Sequence, residues 1–212
     1  FCFITKCGNF STLKKNKFPF SPSKKALNSN NCKVLYNAVG GSFINSKNNS
    51  ELIRIMNESD FISVRDEMTF NSLALNKVKA KLSPDSALIM SDFFKIEELE
   101  KKTNIINLPI NQDYFFIQIG EGKTPEGFYA FFESLLTIAL RKNVKIVLCP
   151  IGLANGHNDH IVLKELNVKY PETILIQPNN IYDIMYVIAN SKCYLGTSLH
   201  GVITAQSFQV PF

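Results

Sequence analysis

Short apolar runs alternate along this chain with longer segments in which apolar residues recur at helical spacing. In the second half, runs of four to six apolar residues alternate with predicted helices of about 10–16 residues, four times within a hundred residues. This alternation predicts βαβ units in an α/β fold with Rossmann-like parallel sheets. Helices cover both faces of such sheets, which explains why each strand is continuously apolar.

The second half is predicted to contain four strands, at residues 114–119, 144–148, 173–177 and 193–195. Helices are predicted at 125–142, from the end of the loop 150–159 through 166, at 180–190, and from near 200 to 209. In the first of them, Thr124 is the expected N-cap and Pro125 the first helical residue. Its spacing predicts one buried apolar face, formed by Phe128, Phe131, Phe132, Leu135, Leu136, Ala139 and Leu140.

The first half is less regular. Its predicted elements are strands at 34–39, 61–64 and 79–82, and helices at 50–57, with Ser50 as N-cap, and from 67 to about 75. Residues 87–90 fit either a helix or a strand, and residues 95–112 are charged and irregular. We therefore predict a partial Rossmann-like domain at 1–108, basic and poorly defined before residue 34, and a second Rossmann-like domain, lacking its last elements, at 109–212.

The positive charge lies at one end of the sequence. The formal net charge is +5, and the first fifty residues hold eight Lys and no Asp or Glu, leaving 15 basic and 18 acidic residues in the other 162. Such a stretch attracts nucleic acid or an anionic membrane surface. Because it lacks helical amphipathicity and interleaved aromatic residues, a solvated loop is favoured. No nucleic-acid partner is expected, and a peripheral membrane association is left open.

The cysteines and the two ends of the sequence bear on the cellular compartment and on the extent of the chain. The five cysteines are odd in number and no pair has metal-ligand spacing, which predicts reduced thiols in a cytoplasmic protein. No apolar stretch approaches 18 residues, so no transmembrane segment is expected. The sequence opens within a strand-like run at 1–5 that has no signal-peptide pattern, and closes at 210–212 where a strand is expected. We therefore expect a chain truncated at both ends.

The sharpest local motif is GTSLHG at residues 196–201, where a strand gives way to a helix. Free N–H groups and the positive end of the helix dipole make such a turn an anion site, to which the Thr197 and Ser198 hydroxyls would contribute. His200, in the first turn, is a candidate general acid or base, because its ordinary pKa lies near neutrality. The alternative is a capped helix whose histidine packs against its neighbours and has no role in catalysis or binding.

Other candidates follow the remaining strands, because ligands of such sheets bind at the carboxyl ends of the strands. Residues 120–123 (GEGK) precede a helix and are suited to cradle a phosphate, although the full phosphate-loop spacing is absent. The Arg65 guanidinium can form two parallel hydrogen bonds to a carboxylate or phosphate. The alternative is that Arg65 forms an ion pair with Asp66 at the start of a helix. His157, Asp159 and His160 share one loop. A metal site there lacks further ligands, so the loop is expected to line the substrate pocket or to cap a helix.

In combination these motifs resemble the polysaccharide pyruvyl transferase family. They are SVRD at 63–66, PD at 84–85, CPIG at 149–152, GHND at 156–159, SLHG at 198–201 and Pro211, in order from about residue 34 to the end. The resemblance implies a glycosyltransferase-B-like arrangement of two Rossmann-type domains. It also implies transfer of a pyruvyl group from phosphoenolpyruvate to two hydroxyls of a sugar, giving a cyclic ketal and phosphate.

The resemblance and the chemistry together assign expected roles. His200, by its match to the family histidine, would donate the proton or hold the phosphate, with Thr197, Ser198 and Gly201 around it. Arg65 and Lys123 are expected to neutralise the donor's negative charges. The remaining expected substrate-binding residues are Asp66, Gly120, Gly152, His157 and Asp159. Phosphoenolpyruvate is the expected donor and a sugar or glycan the acceptor, with no cofactor and no metal. Ser198 departs from the basic residue that many members carry at its position.

Two other functions fit the same elements. A nucleotide-sugar glycosyltransferase would require a ribose-binding carboxylate late in the second domain, for which Asp183 is the candidate. A degenerate, non-catalytic glycan-binding module would bind sugars without releasing phosphate.

Overall fold

A computed structural model describes residues 2–5, 33–41, 50–105, 107–109, 111–153 and 158–212. The chain divides into two compact units, Phe1–Ser86 and Ala87–Phe212. Each unit has a hydrophobic core of its own, so the predicted α/β fold with Rossmann-like parallel sheets is confirmed. Within the described residues, no helix combines the length and the apolar character needed to cross a bilayer.

The first unit is built around a four-stranded sheet. Its elements are β1 (Cys2–Thr5), β2 (Lys33–Val39), α1 (Ser50–Asn57), β3 (Phe61–Val64), α2 (Glu67–Leu75) and β4 (Lys81–Leu82). The strand order is β1-β2-β3-β4, with β1 antiparallel to β2 and the remaining pairs parallel. The carboxyl ends of β2, β3 and β4 therefore lie at one edge of the sheet.

The second unit contains the more regular elements. A 3₁₀ turn at Ser86–Ile89 spans the boundary at which it begins. Its elements are α3 (Met90–Phe93), α4 (Ile96–Lys102), β5 (Tyr114–Gln118), α5 (Phe128–Arg141), β6 (Lys145–Leu148), α6 (Asp159–Lys169), β7 (Ile174–Leu175), α7 (Ile181–Ala189), β8 (Cys193–Gly196) and α8 (Leu199–Ser207).

The order of strands in the second unit determines where a ligand would bind. The sheet is parallel throughout, in the order β7-β6-β5-β8. The chain adds β6 and β7 on one side of β5 and then crosses back to place β8 on its other side. In open parallel sheets, ligands bind at the carboxyl ends of the strands where the order reverses. Here that point lies between the ends of β5 and β8.

Both faces of this sheet are buried, as the continuous apolar runs predict. Phe116 and Val147 belong to a core on one face, while Ile117 and Leu148 belong to a core on the other. All four side chains are at most 2% exposed. This double coverage removes the alternation of polar and apolar residues along the strands.

Helix α5 begins later than predicted. Its first residue is Phe128, and Gly127 precedes it in the left-handed region, with φ of 79°. Pro125 instead belongs to a turn in which its carbonyl accepts from the Phe128 N–H. The predicted buried face is wrong at two positions, because Phe131 and Leu140 are 53% and 67% exposed. Only one stripe of the helix meets the sheet, and these two side chains lie beside it.

The segment predicted to be irregular contains α4, and it packs with the second unit. Leu99 is fully buried in a core cluster that also includes Leu108 and Tyr114. Acidic residues in the first turn of α4 and lysines in its last turn complement the helix dipole. Because α3 and α4 pack with the second unit, the chain divides after Ser86 and not after the predicted residue 108.

Asp183 joins α4 to α7 inside the second unit. It is fully buried, and its carboxylate accepts from the Asn179 and Asn180 N–H groups at the start of α7. It also accepts from the Thr103 hydroxyl at 2.8 Å and from the Asn104 N–H at 3.2 Å. All four donors lose this acceptor if the carboxylate is removed.

Asp183→Ala is expected to lower the free energy of unfolding of the second unit by about 3 kcal/mol, because buried donors would be left unsatisfied. Far-ultraviolet circular dichroism during urea denaturation measures the loss. Asp113→Ala is the control, because within the described part of the chain the exposed Asp113 carboxylate pairs with the exposed Lys192 ammonium alone, at 3.3 Å. The control should change the value by less than about 0.5 kcal/mol. Equal effects of the two substitutions would contradict this role of Asp183.

Candidate active site

His200 lies where the sequence predicts it, in the first turn of α8, and its side chain is exposed. Ser198 is the N-cap, and its Oγ accepts from the Gly201 N–H at 3.3 Å. The His200 carbonyl accepts from the Thr204 hydroxyl at 2.7 Å. The imidazole is therefore outside the core, beside the point at which the strand order reverses.

Gln118, the last residue of β5, organises this turn. Its side chain is 3% exposed. The side-chain Oε1 accepts from the Thr197 N–H at 3.0 Å and from the Ser198 N–H at 2.9 Å. Its Nε2 donates to Asp159 Oδ2 at 2.7 Å. One buried amide thus connects the loop after β8 with the loop after β6.

Asp159 fixes the loop after β6. Its side chain is 1% exposed, and its Oδ2 also accepts from the N–H groups of Ile151, at 3.0 Å, and Gly152, at 2.8 Å. Three donors therefore converge on one carboxylate oxygen. Its other oxygen, Oδ1, is buried and has no hydrogen-bond partner among the residues that the structure describes. Asp159 was expected to line the substrate pocket, but its side chain is buried and holds the loop in place.

The loop after β5 lies against both of the other loops. The Gly120 N–H donates to Thr197 Oγ1 at 3.0 Å, and Glu121 accepts from the Asn158 side chain at 2.6 Å. A Cβ at Gly120 would lie 3.1 Å from Lys123 Cδ and 3.4 Å from Asp159 Oδ1. Lys123 itself is exposed. The structure therefore brings Gly120, Lys123, Gly152, Asp159 and the 197–201 turn together at one end of the sheet.

The predicted anion cradle is partly occupied by contacts within the protein. The N–H groups of Thr197 and Ser198 donate to Gln118, and the Gly201 N–H donates to the Ser198 hydroxyl. The Thr197 hydroxyl accepts from Gly120. These amides were expected to face a ligand, but the neighbouring strand supplies an acceptor that the sequence does not reveal. The two hydroxyls keep their own protons for donation.

Tyr194 supports the turn from beneath. It is 1% exposed, its hydroxyl donates to the Ser198 carbonyl at 3.4 Å, and burial raises the pKa of its phenol. A Cβ at Gly201 would collide with the Tyr194 ring and hydroxyl and lie 2.8 Å from Ile151 Cδ1. Gly201 is therefore required for close packing, which explains its place in the motif better than ligand contact does.

Cys149 is no candidate nucleophile. The thiol is fully buried in the core, and burial raises its pKa far above neutrality. The nucleophilic form of a cysteine is the thiolate, which this environment disfavours.

Arg65 and Asp66 follow β3 in the first unit, and they do not pair with each other. Asp66 is the N-cap of α2, accepting from the Thr69 N–H at 2.7 Å. Arg65 Nη1 donates to Asp85 Oδ2 at 2.9 Å, and its guanidinium packs on Gly40 so closely that a Cβ there would lie 2.7 Å from Nε. The alternative of an Arg65–Asp66 ion pair is wrong, because Asp85, at the end of a neighbouring strand, is the partner.

His157 lies outside the described residues. Among the residues that are described, no group of three or more His, Cys, Asp or Glu side chains is placed to hold a metal ion.

Sequence reasoning missed Gln118 and Tyr194. Gln118 does carry a signal, because a glutamine interrupts the apolar run of β5 at its carboxyl end. A polar residue buried at that position requires partners. Tyr194 carries no comparable signal, because an aromatic residue in a strand is ordinary core material.

The mainly parallel sheets, with polar residues at the carboxyl ends of their strands, define a Rossmann-like α/β protein. Similar solved structures include UDP-GlcNAc 2-epimerase from Methanocaldococcus jannaschii, with 14% identity, 84% of this chain and 53% of that chain covered, and a TM-score of 0.55. Another is UDP-N-acetylglucosamine 2-epimerase from Rickettsia bellii, with 16% identity, 88% and 51% covered, and a TM-score of 0.52. This chain spans about half the length of these proteins. At such identity the likeness establishes the fold alone.

A sequence profile of the family described as "Polysaccharide pyruvyl transferase" matches residues 8–212. The chain therefore belongs to the polysaccharide pyruvyl transferase family, as the order of its motifs predicts. A comparison with curated proteins finds no match.

Gly201→Ala is expected to destabilise the second unit by about 1–3 kcal/mol, because the added methyl group overpacks the contact with Tyr194. Combining it with Tyr194→Phe should recover part of the loss, since this removes the Tyr194 hydroxyl oxygen, the atom nearest to the added methyl group. Urea denaturation measures both effects. Gln206→Ala, at an exposed position of the same helix, should stay within about 0.5 kcal/mol of wild type. An unchanged midpoint for Gly201→Ala would show that the packing is looser than described.

Proposed function

We propose that this protein transfers a pyruvyl group from phosphoenolpyruvate to two hydroxyls of a sugar in a cell-surface polysaccharide, forming a cyclic ketal and releasing phosphate. The family membership supports a pyruvyl transferase acting on polysaccharide. The observation that carries the proposal is the position of His200. It is exposed in the first turn of α8, where the loops after β5, β6 and β8 meet.

The chemistry requires a proton donor near the enol carbon. Protonation of the methylene carbon gives a methyl group and an oxocarbenium-like centre, which a first sugar hydroxyl attacks with loss of its own proton. The carbon–oxygen bond to phosphate then breaks, and a second hydroxyl attacks the same carbon and closes the ketal, giving up its proton to the departing phosphate. His200 is our candidate for the proton donor or for the group that holds the phosphate. A positioned acid or base of this kind contributes a rate factor of roughly 10²–10⁴.

The donor carries a carboxylate and a phosphate, so it requires cationic and hydrogen-bonding partners. Lys123 is exposed beside the β8 turn, and the Thr197 and Ser198 hydroxyls can donate from that turn. In the first unit, we propose Arg65 as a further anion-binding group, held in one orientation by Asp85 and Gly40. We propose that the reaction requires no cofactor besides its donor. His157 stays a candidate from the sequence.

The described cysteines are compatible with the cytoplasm, which is the compartment we propose. Cys149 and Cys193 are both free thiols, as expected where disulfides do not persist.

The nucleotide-sugar alternative loses its candidate residue. Asp183 was the candidate for the ribose-binding carboxylate that this function would require, but it is fully buried and accepts from four donors of its own unit. Equilibrium binding of phosphoenolpyruvate, compared with a panel of nucleotide sugars, separates the two functions. A non-catalytic glycan-binding module would bind glycans without releasing phosphate, and its binding would not change on substitution of His200.

His200→Ala is expected to lower pyruvyl transfer by on the order of 10²–10⁴-fold, with the fold intact, because the proton donor is lost. The measurement follows phosphate release and the mass gain of one pyruvyl group on a sugar panel. Gln206→Ala is the control, since Gln206 is exposed on the same helix as His200, six residues further along. It should retain transfer within threefold of wild type. A His200→Ala variant that also stays within threefold would reject the assignment.

Arg65→Met is expected to weaken phosphoenolpyruvate binding by about 10–100-fold, the range of a hydrogen bond to a charged group. Isothermal titration calorimetry measures the affinity, and circular dichroism checks the fold. Arg54→Met provides the comparison in the same unit, because Arg54 is half exposed and its ion-pair partner among the described residues is Glu58, four positions further along the chain. Equal affinities for the Arg65→Met variant and wild type would limit Arg65 to a structural role.

A further inference from the structure

We propose that Gln118 is a positioning residue, through which the buried Asp159 carboxylate holds the turn that presents His200. This inference rests on the proposed function of His200. The sequence assigned no role to Gln118. Its side chain is buried, so it contacts the turn from within the protein.

The surroundings of the Gln118 amide permit one orientation. Its Nε2 lies 2.7 Å from a carboxylate oxygen of Asp159, and its Oε1 faces the N–H groups of Thr197 and Ser198. Rotating the amide by half a turn would place oxygen against oxygen and donors against donors. Asp159 is fixed in turn by the N–H groups of Ile151 and Gly152. The loop after β6 therefore determines that Gln118 Oε1 points toward the Thr197 and Ser198 N–H groups, from which it accepts.

The sheet does not need this side chain to hold its strands together. Strands β5 and β8 are already paired in parallel over four positions, from Phe115 with Cys193 to Gln118 with Gly196. The Gln118 main-chain carbonyl also accepts from the Thr197 N–H at 3.2 Å. The Gln118 side chain adds a second contact to Thr197 and is the acceptor for the Ser198 N–H. These two residues set the start of α8, and His200 follows two positions later. The side chain therefore helps to hold the two residues that precede α8, whereas the strands pair through their backbones.

Burial strengthens the connection. Gln118 and Asp159 are 3% and 1% exposed, so little water competes for their hydrogen bonds. A carboxylate at Nε2 polarises the amide and makes Oε1 a better acceptor for the two N–H groups. Losing Gln118 would leave those N–H groups to their remaining acceptors and would loosen the turn. A catalytic group displaced by about 1 Å commonly costs about 10²-fold in rate.

The test is Gln118→Met in the full chain, because methionine approximates the volume of glutamine without its donor and acceptor. We expect kcat for pyruvyl transfer to fall by about 10–100-fold, with KM for phosphoenolpyruvate within threefold of wild type. The imidazole signals of His200 in nuclear magnetic resonance spectra, recorded without substrate, should shift or broaden. The chain has three histidines, so His200→Ala assigns the signals.

Two further variants separate positioning from general stability. Asn167→Ala removes two side-chain hydrogen bonds to Thr173, both 3.0 Å, at the amino end of β7 and away from the site. It should destabilise the same unit and leave kcat and the His200 signals unchanged. Asp159→Asn keeps one oxygen for the three donors, removes the charge, and places an NH2 group at the position of Oδ1, which has no hydrogen-bond partner among the described residues. Its kcat should therefore lie between those of wild type and Gln118→Met.

Two results would overturn the inference. One is a Gln118→Met variant whose kcat stays within threefold of wild type or whose His200 signals do not move. The other is an Asn167→Ala variant that loses as much kcat as Gln118→Met, since that loss would follow from stability alone. If the wild-type chain shows no pyruvyl transfer, the proposed function fails. The His200 signals then decide by themselves whether Gln118 positions the turn.

Discussion

The buried carboxylate of Asp159 is the constraint on which the end of the second sheet depends. A charged group out of contact with water needs several donors, and three converge here on a single oxygen. Two of them are N–H groups of its own loop, and the third is the amide of Gln118. Satisfying one charge therefore ties the loop after β6 to β5, and through Gln118 to the start of α8. The geometry around His200 follows from that requirement.

The first unit meets a similar requirement with an ion pair. Arg65 follows β3 and Asp85 follows β4, so parallel neighbouring strands bring opposite charges to the same edge. Gly40, after β2, lets the guanidinium lie directly on the backbone. In both units, polar side chains at the carboxyl ends of parallel strands stabilise the loops there. The Asp159–Gln118 connection is more deeply buried, whereas the Arg65 side chain keeps a 24% exposure.

Several corrections to the predicted elements have one origin. The start of α5 at Phe128, the exposure of Phe131 and the packing of α4 through Leu99 all depend on which surface of a helix meets the sheet. Helical spacing indicates that an apolar stripe exists. It does not define the width of the contact, and it gives little signal for a seven-residue helix with one buried leucine. Propensity placed Thr124 and Pro125 at a helix start, but Gly127 in a left-handed conformation turns the chain there instead.

By itself, the sequence determined the alternation of strands and helices, the parallel α/β class and the place of His200 at the start of α8, because these are local patterns of apolar spacing and capping. It also carried the family motifs in order. Only the tertiary structure decided that Arg65 pairs with Asp85 and that Gln118 links Asp159 to the His200 turn. Those pairings join residues 20 to 80 positions apart. They arise from the order and register of parallel strands, which local sequence does not encode.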